Sequence, residues 1–151
     1  MDTEESKCYY AGLPSAPILV ARTSTTPWKA PTGPEAYHRL KELRVVGEHA
    51  LNSVWGDDLG VKVSSLLDEM NVKWTSLDIV RIGYCGQFFA PVILWIGVTP
   101  ASLSSEDGIV AARKCKEILE EYHITDVDVE IRESVVHRWG SWAVLHDKRL
   151  A

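Results

Sequence analysis

The sequence predicts an α+β fold: a two-layer domain with a small mixed sheet, in the order helix-helix-strand-strand-helix-strand, and an extended proline-rich amino-terminal arm. Three observations carry this expectation. The stretch Ala90-Pro-Val-Ile-Leu-Trp-Ile-Gly-Val98 is apolar on both alternating sets, with Val92, Leu94, Ile96 and Val98 on one side and Ile93 and Trp95 on the other. A strand with one wet face alternates polar and apolar, so this one belongs at the centre of a sheet, covered on both faces. Next, Ala111, Cys115, Ile118 and Tyr122 recur at helical spacing behind Ser104, a residue suited to cap a helix, with Glu106 and Asp107 at its positive end. Lastly, Val127, Val129 and Ile131 alternate with Asp126, Asp128, Glu130 and Arg132, the pattern of a strand with one dry and one wet face.

Composition bounds what such a domain can be. The chain has 151 residues, 46% hydrophobic and 25% charged, which suits one globular domain with a sizeable core. Its 16 basic and 21 acidic residues give a formal charge of −5, so no nucleic-acid partner is expected. Cys8, Cys85 and Cys115 are odd in number and include no CxxC pair, against a disulfide framework or a structural zinc site. The start Met1-Asp-Thr-Glu-Glu-Ser6 lacks the basic and apolar segments of a signal peptide. The apolar run at 90–98 falls far short of the roughly 20 residues that span a bilayer. A soluble, intracellular, cytoplasmic protein is expected.

In chain order, residues 1–34 hold Pro14, Pro17, Pro27, Pro31 and Pro34 among Ser, Thr and Gly. Proline removes donors and restricts its predecessor, so this arm is expected to be extended or partly disordered, with Ile18 to Ala21 able to form a short edge strand. Thr32-Gly-Pro-Glu35 has capping-box spacing and opens a predicted helix over 35–46, with Tyr37, Leu40 and Leu43 as its buried stripe. A second helix over 52–70 is predicted from Trp55, Leu59, Val63, Leu66 and Met70; Gly56 and Gly60 weaken its first half. Leu77 to Tyr84 reads as a strand, and the loop Cys85-Gly-Gln-Phe-Phe89 leads into the central one. The domain is expected to cover 35–136, with a short basic and aromatic tail at 137–151.

Three blocks carry a resemblance. Ala21 to Tyr37, Pro91 to Val98 and Thr125 to Val136 resemble the amino-terminal region of a large group of proteins of unknown function from mushroom-forming fungi. The similarity covers roughly residues 12–136. Longer members of that group continue into a region with a trypsin-like look, where this sequence instead reads His137-Arg-Trp-Gly-Ser-Trp142 and ends within fifteen residues. The resemblance implies an amino-terminal module without that region's chemistry. It supplies no catalytic residue.

Candidate sites are few. Asp126, Asp128 and Glu130 at alternate positions offer oxygen ligands for a hard cation, against the plainer reading of a solvated strand face. Cys85, beside Gly86 at a strand end, is a candidate nucleophile if His123 or His137 stands near it; the plainer reading is a small buried hydrophobe. The five histidines show no ligand spacing, and no phosphate loop, nucleophile elbow or cofactor motif is present. Trp28 and Lys29, in the arm, are the candidate binding residues. The expected function is a non-enzymatic binding or regulatory module for a protein partner or an adjacent domain, without cofactor. The alternative is a small hydrolase or nuclease using the acidic strand with a divalent cation, or Cys85.

Overall fold

The computed structural model describes residues 3–30 and 40–134. Strand β4 (Val92–Val98) is the middle of a five-stranded mixed sheet, and all its residues are buried, as its two-sided apolar pattern requires. Strand β3 (Trp74–Tyr84) pairs with it antiparallel and β5 (Asp128–Glu133) in parallel. Strands β1 (Ile18–Arg22) and β2 (Lys41–Arg44) form the two edges, giving the order β1-β5-β4-β3-β2.

The parallel pair needs a crossover, and helix α4 (Ser105–Glu121) supplies it. Ser104 caps α4 by accepting the Asp107 N–H at 3.2 Å. Its inner face is built of small residues: Gly108, Ala111, Ala112 and Cys115 are buried. Gly108 lies so close to β1 that a Cβ there would stand 2.8 Å from Val20 Cγ1. Helices α2 (Ala50–Val54) and α3 (Gly60–Glu69) are joined by a π turn at Trp55–Leu59, where Gly56 and Gly60 weaken the helical pattern. Leu51, Leu59, Val63 and Leu67 from this stretch meet Leu94, Ile96, Val98, Val129 and Ile131 of the sheet in the main core.

The second face of the sheet is covered by the amino-terminal segment. Helix α1 (Thr3–Cys8) and the turns after it lead across that face and back to β1. Tyr10 and Leu13 pack there against Leu19, Ile82, Ile93 and Trp95.

Three expectations are corrected. Residues 41–44 of the predicted helix 35–46 form β2, because pairing with the long β3 outweighs a single Leu40–Leu43 step; residues 35–39 lie outside the described residues. The edge strand expected at Ile18 to Ala21 is β1, but the arm before it is not a loose extension: α1 and the turns after it belong to the fold, and Tyr10 and Leu13 are buried; residues 31–34 lie outside the described residues. The wet face expected for β5 is dry at two positions, with Glu130 3% and Arg132 7% exposed. The tail at 137–151 lies outside the described residues.

Candidate functional site

Strand alternation sends Glu130 and Arg132 to the face away from the main core, where the amino-terminal segment meets them. Glu130 Oε1 accepts the Tyr10 hydroxyl at 2.7 Å and Oε2 the Tyr9 hydroxyl at 3.3 Å. The Lys41 ammonium stands 3.2 Å from the Tyr9 ring centroid and within 6 Å of the Tyr10 and Tyr84 centroids, at 5.7 and 5.6 Å. Arg22 Nε donates to Glu5 Oε2 at 3.1 Å. Beside them the Arg132 guanidinium lies 3.5 Å over the Trp95 ring, its Nη2 3.3 Å from Ser76 Oγ and 3.4 Å from Asp78 Oδ2.

Burial sets the protonation of this cluster. Desolvation raises the Glu130 carboxyl, opposed first by the Lys41 charge and then by the tyrosine hydroxyls. Desolvation pushes Lys41 down to about 8, with Glu130 opposing. Burial, then the Glu130 charge, holds the Tyr9 and Tyr10 hydroxyls well above their ordinary value. An acid, an amine and two phenols together are the makings of proton-transfer chemistry. Here they are closed over: Tyr10 is 1% exposed and Lys41 7%. The arrangement fastens the segment to the sheet.

The carboxylates of the acidic strand do not converge. Asp126 Oδ2 is 2.8 Å from His49 Nε2, and this hydrogen bond is the main cause of its lowered pKa. His49 Nδ1 accepts the Leu51 N–H at 3.0 Å, which places the ring proton on Nε2 and leaves neither nitrogen free as a base. Asp128 accepts from Thr23 Oγ1 at 2.7 Å and faces Lys116 Nζ at 3.6 Å. Glu130 is the buried member described above. Among the described residues no group of three or more His, Cys, Asp or Glu is placed to hold a metal ion.

Cys85 is exposed in the β3–β4 turn, where its N–H donates to Leu40 O at 2.8 Å. No hydrogen bond joins it to a histidine among the described residues; His123 ends α4, and His137 lies outside them. Trp28 is half-buried and Lys29 exposed, in a stretch without regular structure.

A different surface stands out. Of eight large hydrophobic residues exposed among those described, five lie on β2, at its two ends or in the β3–β4 turn: Leu43, then Leu40 and Val45, then Phe88 and Phe89. Phe88 is 102% exposed and Phe89 69%. The turn that carries them is fixed: Gly86 takes a φ of 84°, Gln87 N donates to Tyr84 O at 3.1 Å, and Arg44 donates to Phe88 O at 3.2 Å and Tyr84 O at 3.0 Å. The adjacent phenylalanines in a glycine-containing turn are the sequence signal for this surface. The Tyr9–Tyr10 pair is the signal for the buried cluster, legible only with knowledge of what it covers.

No family model, curated protein or solved structure matches the chain. Among the described residues no helix is long and apolar enough to cross a membrane.

Proposed function

We propose that the protein is a non-enzymatic binding module that takes a protein partner or adjacent domain on the edge strand β2 and the β3–β4 turn. The observation that carries this reading is the exposure of Phe88 and Phe89 on a turn held by Arg44. Two ordered phenyl rings in water lose hydrophobic stabilisation that a partner's apolar recess would supply, and buried aromatic anchors carry much of the energy of protein contacts. Leu40, Leu43 and Val45 on and beside β2 are exposed as well, and Arg44, paired with Glu42, holds the turn from β2. The resemblance to an amino-terminal module suits this reading.

The test is capture from a whole-cell extract on immobilised wild type and on a Phe88→Ser/Phe89→Ser double variant of unchanged circular dichroism. A protein retained by the first and lost from the second is the expected result. Self-association that the same substitutions abolish would make a second copy the partner. Identical retention by both proteins would remove this surface from consideration.

A further inference from the structure

The amino-terminal segment crosses the sheet from one edge to the other. Ser6 Oγ donates to Leu19 O of β1 at 2.7 Å; Tyr9 and Tyr10 reach Glu130 of β5; the Tyr10 ring meets Trp95 of β4 edge-on at 5.5 Å; and Ala11 O accepts the outward Lys41 N–H of β2 at 2.8 Å. One strap thereby touches both edge strands of the sheet, at Leu19 and at Lys41.

Three features set this strap apart from the rest of the fold. Its attachment is a small one: α1 buries no residue, and the apolar anchors are Tyr10 and Leu13, with Tyr9 partly buried beside them. Its return turn holds Ser15 at a φ of 72° and Ala16 at 42°, in the left-handed region that residues with a Cβ disfavour. The face beneath it carries the buried charges Glu130 and Lys41, in contact with Tyr9 and Tyr10, and Arg132 beside them. Opening returns water to those charges and relaxes the turn, which offsets the cost of detaching Tyr10 and Leu13 from the sheet. The main core under α2, α3 and α4 includes no residue of the segment 3–17.

We propose that residues 3–17 are a displaceable strap, which opens as a unit while the sheet and its helices stay folded. Opening uncovers Trp95, Ile93 and Ile82 together with Glu130 and Arg132, and frees the Lys41 N–H on the β2 edge. This switch goes beyond the Phe88–Phe89 surface and stands without it.

Native-state hydrogen exchange on the full chain tests it. The amides of Ala11, Leu13 and Ala16, with that of Lys41, should exchange through an opening insensitive to low denaturant, while β4 and α4 amides exchange only through global unfolding. Tyr10→Phe keeps the ring and removes the hydroxyl from Glu130; it should speed the strap amides about tenfold relative to those of β4. Ala16→Gly, which suits the positive φ, should slow them. Strap and β4 amides that share one denaturant dependence would overturn the proposal. So would equal acceleration of both by Tyr10→Phe, or strap amides indifferent to Ala16→Gly.

Discussion

At the scale of single residues, Lys41 and Glu130 show how position overrides character. Each is charged in water, and each sits under the strap because β2 and β5 alternate toward it. Lys41 is held at about 8 against its ordinary 10.5, with burial as the main cause. Between those values the unfolded chain binds more protons than the folded one, so Lys41 makes stability rise as pH climbs through that range. Glu130 acts in the other sense: its raised pKa gives stability that is full in acid and lost as pH rises through the folded value. Lys41→Met keeps the stem and removes the ammonium. Urea midpoints at about pH 7 and about pH 10 should show wild type gaining on the variant as pH rises, on the order of 1 kcal/mol or more. A difference constant with pH would contradict the assignment.

Legibility at this scale follows what a residue's neighbours in sequence can reveal. Trp95 is readable as buried because both alternating sets around it are apolar. Glu130 reads as solvated because its cover, Tyr9 and Tyr10, lies some 120 residues away in a proline-rich segment. Nothing local marks that pairing.

Among elements, α4 and β4 are the most legible because cap, period and terminator agree in each. The α4 cap has a measurable share: Ser104→Ala should lower stability by about 1 kcal/mol, since the Asp107 N–H loses its acceptor. Thermal or urea unfolding checks this, and an unchanged midpoint would show that water replaces the hydroxyl without loss. Strand β2 is the least legible element. Its four residues carry too little pattern to separate a strand from a helical turn, and partner β3 decides the matter. The continuous helix predicted over 52–70 is interrupted by a π turn at Trp55–Leu59, which realigns the buried face onto Leu59, Val63 and Leu67. Phe88 and Phe89 are legible as a loop, and their exposure follows from the tight turn at Gly86.

For the whole molecule, the sheet is closed on one face by helices and on the other by its own amino-terminal segment. Among the described residues, the most exposed apolar side chains beyond these covered faces include Phe88 and Phe89 of the β3–β4 turn, so the functional reading depends on the strap. The direct test is urea unfolding of a chain lacking residues 1–17 beside the full chain. Tyr10 and Leu13 bury side chains worth about 1.5–3 kcal/mol each, so their removal should lower the midpoint by a loss of several kcal/mol. The main core is untouched, and the transition should stay cooperative with a smaller slope because less surface is exposed on unfolding. Midpoint and slope that coincide with those of the full chain would mean that the segment does not cover the second face.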